Sequence, residues 1–263
     1  MILPNKIKHK IDLRDGTLDQ IGLSEASVYL FDDMVLKIQP SNTESDNEYR
    51  MIQWLQGKLP VPKIIEFEKT NKYSFLLMSK CDGQLGCSET LMSQPKHLYE
   101  LLRDALREIQ SIDLSGCPSN NDLNSKLATA EQNVILGNVD ISTTETETFG
   151  ANGFRDPEAL LYWLKENRPA EELVLSHGDF CLPNVLFKDG KLTGLIDLGK
   201  TGIGDKWCDI ALCYRSIKNN YNGRYSGTAA RNYLFNESEF FDIIEQKPDW
   251  DKLRYYILLD ELF

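Results

Sequence analysis

The chain has 263 residues, of which 41% are apolar and 26% charged, an ordinary globular make-up that speaks against disorder or a fibre. Its formal net charge of −11 argues against nucleic acid as a partner, because phosphate contacts need a basic face. No apolar run approaches the ~20 residues that cross a bilayer, so no membrane partner is expected. The N-terminal stretch MILPNKIKHKIDLRDG lacks the apolar centre of an export signal. The six cysteines form no C-x-x-C pair, which predicts reduced, mostly buried thiols in a cytoplasmic protein. The length is ample for two lobes.

The first part of the chain reads as strands. Val28 and Leu30, then Val35, Leu36 and Ile38, flank Asp32-Asp33 as a hairpin, with Lys37 on its second strand. SDNEYRMIQWLQG follows as a helix with Ser45 or Asp46 as N-cap and Gly57 as stop. Met51, Ile52 and Leu55 form its inward stripe, and Glu48 falls on the same stripe. Two roles are open to Glu48. Either it pairs with Lys37, because a buried carboxylate is costly alone, or it sits exposed in the first turn, favoured by the helix dipole. LPVPK is an extended linker fixed by two prolines, and KIIEFE and YSFLLM are two more strands.

The character changes at SKCDGQLGCSE, and the lobe boundary is placed there, near residues 79–83. Leu98, Leu101, Leu102, Ala105 and Ile109 then mark a helix opened by Pro95. A second opens at Asp156-Pro157-Glu158. ISTTETETFGANG between them reads as a flexible acidic loop. Near the end, DKWCDIALCYRSI, YLFNESEFFDII and PDWDKLRYYILLDELF read as helices. The first keeps Trp207, Ile210, Ala211, Tyr214 and Ile217 on one side. The polar stretch NNYNGRYSGTAARN loops out.

ELVLSHGDFCLPNVLFKDGKLTGLIDLG, in the middle, carries the chemistry. A hairpin from VLF to KLTGLIDL, turning at Lys188-Asp189-Gly190, brings Asn184 and Asp197 side by side, with Asp179 nearby. Two converging oxygen ligands suit Mg²⁺, which takes few protein ligands. A separate carboxylate can orient a hydroxyl and accept its proton, as in phosphoryl transfer. His177-Gly178-Asp179, Asn184 and Asp197-Leu198-Gly199 match the protein-kinase spacing H-x-D-x-x-x-x-N followed by D-x-G, and Lys37 and Glu48 then fit a phosphate clamp and its partner. His177 is expected to support the loop through hydrogen bonds, and His9 and His97 to lie on the surface. GLIDLGKT also satisfies the P-loop pattern, but Leu195, Ile196 and Leu198 suit a buried strand better than a phosphate nest, and Gly202 and Gly204 disfavour a helix start.

WLQGKLPVPKIIEFE, LLMSKCDG, LVLSHGDFCLPNVLFKDGKLTGLIDLGKTG, DKWCDIALCYRSI and KPDWDKLRYYILLDELF together resemble the aminoglycoside 3′-phosphotransferases, the kanamycin and neomycin kinases, nearly end to end. The resemblance implies an α+β, two-lobed protein-kinase-like fold. Residues 1–80 would form an N-terminal antiparallel sheet lobe with one helix, 79–84 the hinge, and 85–263 a larger, mainly helical lobe. It also implies ATP-dependent phosphorylation of a 3′-hydroxyl on an aminoglycoside, and antibiotic resistance. By position, Asp179 would be the catalytic aspartate, Asn184 and Asp197 the Mg²⁺ ligands, and Lys37 the contact to the α/β-phosphates, paired with Glu48. Ser24 would lie near the β-phosphate, and Met78 to Cys81, including Lys80, would form the hinge that reads adenine. Asp179, Asn184, Arg215, Asp260, Glu261 and Phe263 would contact the antibiotic, with Glu145 and Glu147 as further candidates. The acidic cluster at the C-terminus has little reason to form without a cation, and the apolar run Tyr255 to Leu259 argues that it docks.

The pattern departs from the family at Val35, at Asn219 and in the acidic loop near 141–153, which does not align cleanly, and also in the length of the segment 220–236. Val35 stands where relatives stack an aromatic ring on adenine, which leaves both ATP and GTP open as donors. Asn219 replaces an acidic substrate position, and the segment 220–236 is longer than usual. A monomer or weak dimer is expected. The alternatives are a kinase of choline, a macrolide or a sugar on the same fold, or a pseudokinase scaffold.

Overall fold

The computed structural model describes residues 3–19, 26–225 and 234–263. The strands are β1 (Thr17–Leu18), β2 (Ser27–Leu30), β3 (Met34–Pro40), β4 (Ile64–Lys69), β5 (Tyr73–Ser79), β6 (Gln84–Leu85), β7 (Leu173–Ser176), β8 (Val185–Lys188), β9 (Lys191–Leu195) and β10 (Gly202–Asp205). Between them lie α1 (Asn5–Lys8), α2 (Thr43–Leu55), α3 (Glu89–Met92), α4 (Pro95–Gln110), α5 (Leu123–Leu136) and α6 (Pro157–Glu166). After them come α7 (Lys206–Tyr221), α8 (Glu237–Ile243) and α9 (Trp250–Asp260). The first five strands form an antiparallel sheet in the order β1-β2-β3-β5-β4. The other strands make two small antiparallel sheets, β6-β8-β9 and β10-β7, set among the helices of the larger lobe.

Alternation along β3 and β5 sorts the first sheet's two faces. Leu36, Ile38, Phe75 and Leu77 turn to one side and pack with Ile7 and Ile11 of the N-terminal segment. Leu76 and Met78 turn to the other, where Met51, Ile52 and Leu55 of α2 join a core that runs on through the larger lobe. Lys37 lies opposite Leu76 and Val35 opposite Met78, so both project on this second side.

Helix α2 begins earlier than the sequence suggests. Asn42 is its N-cap, accepting from the backbone N–H of Ser45, while the Ser45 hydroxyl accepts from the Asn42 backbone. Ser45 and Asp46 are therefore inside the helix. This puts Glu48 in the second turn, where it is 1% exposed. The first-turn alternative is thereby removed. Helix α4 starts at Pro95 and α6 at Pro157 after an Asp156 cap, as expected.

Two further elements differ from the sequence reading. Helix α5 was not anticipated. Helix α7 is buried nearly all round rather than along one stripe, with Cys208, Asp209, Leu212, Cys213 and Ser216 inside as well. It also runs to Tyr221, so the first residues of the expected loop are helical. The remainder of the 220–236 segment falls largely on residues 226–233, outside the described residues. All six cysteines are unpaired thiols; Cys208 and Cys213 are buried and the rest half-buried. Among the described residues no helix is long and apolar enough to cross a membrane.

One buried carboxylate ties the C-terminal helix to the rest of this lobe. Asp205, 2% exposed, caps α7 through the N–H of Trp207. It also accepts from the N–H of Glu172 at 3.2 Å, Lys252 Nζ at 3.1 Å and Tyr256 Oη at 2.8 Å. Replacing it strands a lysine and a phenol in the interior. Asp205→Ala is therefore expected to lower the free energy of unfolding by about 3–5 kcal/mol, read from a urea transition. A loss below about 1 kcal/mol would show that these bonds contribute little.

Candidate active site

Lys37 is the centre of a charge cluster that is buried at Lys37 and Glu48 and open at Asp197, whose side chain is 37% exposed. Its Nζ donates to Glu48 Oε1 at 3.1 Å and to Asp197 Oδ1 at 2.8 Å. Gln39 Nε2 holds the other Glu48 oxygen at 2.8 Å. Burial opposes charge on Lys37, but the two carboxylates outweigh it and raise its pKa above the usual range. Burial pushes Glu48 upward against the pull of Lys37, whereas for Asp197 the pull of Lys37 wins and lowers it. Strand β3, helix α2 and the turn after β9 thus meet at one ammonium.

The expected hairpin forms. Strands β8 and β9 pair around Asp189 and Gly190, both at positive φ (51° and 74°). At its open end the N–H of Ile196 donates to the Asn184 carbonyl at 3.0 Å, which brings the two positions expected to bind Mg²⁺ close in the backbone. Asn184 Nδ2 donates to Asp179 Oδ2 at 2.9 Å and Cys181 Sγ to Asp179 Oδ1 at 3.0 Å. Each carboxylate oxygen of Asp179 therefore already accepts one bond, and lone pairs remain for a further donor. Among the described residues no hydrogen bond engages the Asn184 side-chain oxygen or Asp197 Oδ2. Two hard oxygen donors at one point fit Mg²⁺, which completes its shell with water and phosphate oxygens.

The loop that carries Asp179 hangs from Asp209, which is fully buried. Asp209 accepts from the N–H groups of His177 (2.8 Å) and Gly178 (2.9 Å) and from Ser176 Oγ (3.0 Å). His177 Nε2 lies 3.1 Å from the Ile196 carbonyl, so this histidine does support the loop. Gly178 has φ +80°, and a Cβ there would sit 2.0 Å from the Lys200 carbonyl, so a side chain is excluded twice over.

GLIDLGKT does not cradle phosphate as a P-loop would. Gly194 lies in β9, Asp197 is left-handed (φ 60°), residues 198–200 make one 3₁₀ turn, and β10 follows where a P-loop needs a helix. Asn47 of α2 donates to the carbonyls of Gly199 (2.8 Å) and Thr201 (2.9 Å), and Thr201 Oγ1 donates to the His177 carbonyl at 2.9 Å. Asn47, Cys181, Lys200 and Asp209 were not singled out as site residues in the sequence. A buried Asp in the first turn of α7 was the one readable sign.

The C-terminal cluster docks as expected, with Tyr255, Tyr256, Leu258, Leu259 and Leu262 buried. Its charge differs from expectation. Arg215 binds Asp260 and lies 3.3 Å from Glu261, and Lys200 Nζ is 3.9 Å from Asp260. The chain supplies its own cations, so the cluster forms without an external one. Phe263 is 40% exposed, with the Lys200 and Lys126 ammonium groups 5.1 and 5.8 Å from its ring centre. The 141–153 loop joins this wall: the N–H of Glu145 donates to Glu261 Oε2 at 2.8 Å, and Asn219 Nδ2 donates to Glu145 Oε1 at 2.8 Å. Glu147 is exposed on the same loop.

Met78 is buried at the end of β5, and the N–H of Lys80 donates to the Asp33 carbonyl at 2.9 Å. Burial raises the half-buried Cys81 thiol to about 11. Ser24 lies outside the described residues.

Burial acts against the ionised form of Asp260, yet Arg215 and Lys200 bring its pKa down to about 2. A depressed carboxylate contributes stability above its unfolded pKa and loses it as pH falls through the folded value. The contribution is on the order of 2 kcal/mol and should disappear between about pH 4 and 2. The stability gap between the protein and Asp260→Asn is thus expected to narrow by that amount on acidification. Parallel pH–stability curves would refute it.

The geometry agrees with wider likeness. Residues 17–256 match the phosphotransferase enzyme family model, called APH. The chain is 40% identical to an aminoglycoside 3′-phosphotransferase of Enterococcus faecalis, over 100% of this chain and 99% of that protein. It is 40% identical, with the same coverage, to an aminoglycoside 3′-phosphotransferase of Staphylococcus aureus. Among solved structures, an aminoglycoside-3′-phosphotransferase of type VIII superposes with a TM-score of 0.79 at 23% identity, covering 98% of this chain and 97% of that one. A Streptomyces rimosus aminoglycoside phosphotransferase in complex with ADP and streptomycin superposes with a TM-score of 0.75 at 22% identity, covering 97% and 95%. These likenesses fit the α+β, two-lobed protein-kinase-like fold. The chain belongs to the aminoglycoside 3′-phosphotransferases of the phosphotransferase enzyme family.

Proposed function

We propose that this protein transfers the γ-phosphoryl group of ATP to the 3′-hydroxyl of an aminoglycoside and thereby confers resistance to antibiotics of the kanamycin and neomycin class. The observation that carries the reading is the joint presence of Asp179, Asn184 and Asp197 at one end of the β8–β9 hairpin, with Lys37 and Glu48 reaching it from the other lobe. A scaffold without turnover has no need of all five.

Residues 1–80 act as the nucleotide lobe, 79–84 as the hinge and 85–263 as the catalytic lobe. The backbone from Met78 to Cys81 reads adenine, with Val35 beside Met78 contributing dispersion only, so ATP and GTP are separated weakly at this position. Lys37 clamps the α/β-phosphates, and Glu48 holds Lys37 in place. Asn184 and Asp197 would hold Mg²⁺, which neutralises phosphate charge when bound. Asp179 orients the 3′-hydroxyl in line with the γ-phosphorus. As the new O–P bond forms, the bond to the β–γ bridging oxygen breaks, ADP leaves and the hydroxyl proton passes to Asp179. The transition state is loose, so positioning and charge stabilisation supply most of the acceleration. Cys181 and Asn184 fix both oxygens of Asp179 for that task. Arg215, Asp260, Glu261, Glu145, Glu147 and Phe263 receive the antibiotic. The enzyme works in the cytoplasm, as a monomer or weak dimer.

ADP release measured with kanamycin, neomycin and ribostamycin, with the phosphorylated position read by NMR, tests this directly. Turnover on choline or a macrolide with none on these three would overturn it. Asp179→Ala is expected to lower kcat by about 10²-fold or more while ATP binding persists, and near-normal turnover would remove Asp179 from the chemistry. Lys37→Ala should chiefly raise the KM for ATP. An unchanged KM there would place the phosphate clamp elsewhere.

A further inference from the structure

Arg224 lies just past the C-terminus of α7, where its N–H donates to the Asn219 carbonyl at 2.9 Å. Its guanidinium turns back onto the 141–153 loop. There it binds Glu145 Oε2, donates to the Thr144 carbonyl at 2.8 Å and lies 3.4 Å from the Thr143 carbonyl. Asn219 takes the other Glu145 oxygen, so both are engaged by donors of the chain itself. A carboxylate and two carbonyls converging on one cation form an acceptor set that also suits a primary ammonium group. The same loop is joined to the C-terminal wall, where Glu145 N–H meets Glu261 and Glu261 meets Arg215. The arginine is no buried strut, since the Arg224 and Glu145 side chains are 32% and 30% exposed.

We propose that Arg224 is a built-in occupant of a cation subsite made by Glu145 and the carbonyls of Thr143 and Thr144, and that an ammonium group of the substrate must displace it. Arg224 is then a specificity-determining residue. It weakens every acceptor that places an ammonium on this loop and leaves untouched those that bind only against Asp260 and Glu261. The inference rests on the aminoglycoside reading above. It goes further by assigning one cation contact of that substrate to an exchange with the chain's own guanidinium. An exposed pair of this kind opposes displacement modestly, so its removal should change affinity by about two- to fivefold.

Arg224→Gln and Arg224→Lys test it, using the full chain and kanamycin, neomycin and ribostamycin as probes. Arg224→Gln is expected to lower the KM of at least one of them two- to fivefold, with kcat and the KM for ATP unchanged. Arg224→Lys, which keeps the positive charge, should stay near the parent. Calorimetric titration of the same antibiotics should show the same ranking without turnover, and added salt should shrink the difference. A KM that rises in Arg224→Gln would mean the arginine fastens a loop the substrate needs, and would overturn the exchange. An unchanged KM for all three antibiotics overturns it equally. Failure of the parent to phosphorylate or bind any aminoglycoside would sink the functional reading itself. Parent turnover with an indifferent Arg224→Gln sinks only this inference.

Discussion

The ammonium of Lys37 is the point on which the rest of the molecule depends. It sits in a strand of one lobe, 6% exposed, and is bonded to carboxylates from a helix of that lobe and from a turn of the other. A charge so placed is costly unless it is fully paired, and removing either partner would leave an uncompensated charge in the interior. The pairing therefore acts as a constraint on three elements at once. The hairpin at Asp32-Asp33 sets the register of β3, the Asn42 cap sets the phase of α2, and the left-handed Asp197 aims its side chain at Lys37. A slip of one residue in β3 would turn Lys37 into the other face, among Leu36 and Ile38.

A second level of support lies beneath the chemistry. Asp209 accepts three bonds from the residues before Asp179, and Asn47 holds both carbonyls that flank Lys200. Neither side chain reaches a reacting atom. Both fix backbone next to Asp179 and Asp197, and so hold two separate loops that each carry a φ-positive residue, Gly178 after β7 and Asp197 after β9.

Much of this was legible in the sequence, because the relevant signals are local. Short apolar runs marked β3 and β5, turn residues marked both hairpins, and the hairpin geometry itself predicts that Asn184 and Asp197 meet. What was not legible is non-local or inverted. Helix α5 buries Leu123, Leu127 and Ala130 on one side, but Lys126 falls on that side too and Ile135 and Leu136 turn outward, 67% and 66% exposed, which blurs the stripe in the sequence. Helix α7 is surrounded, and a one-stripe reading was the wrong template for it. The cap of α2 had several candidates within SNTESDNE, and only packing selects among them. The pairing of Arg215 with Asp260 spans 45 residues, and no spacing rule reports it.

That pairing changes how the net charge of −11 should be understood. An acidic surface raises the local concentration of a polycation and speeds its encounter, an effect that salt screens. Contact is a separate matter. The carboxylates at 145, 260 and 261 already hold guanidinium groups, and under the exchange proposed for Arg224 an ammonium at Glu145 would gain only the difference between its own fit and that of the arginine it replaces. Under that proposal, attraction at long range and exchange at short range would together select for acceptors whose ammonium spacing matches the wall. A singly charged amine is drawn in by the same field but repays little of the broken pair. Discrimination among cations thus resides in the geometry of the paired groups more than in the excess of negative charge around them.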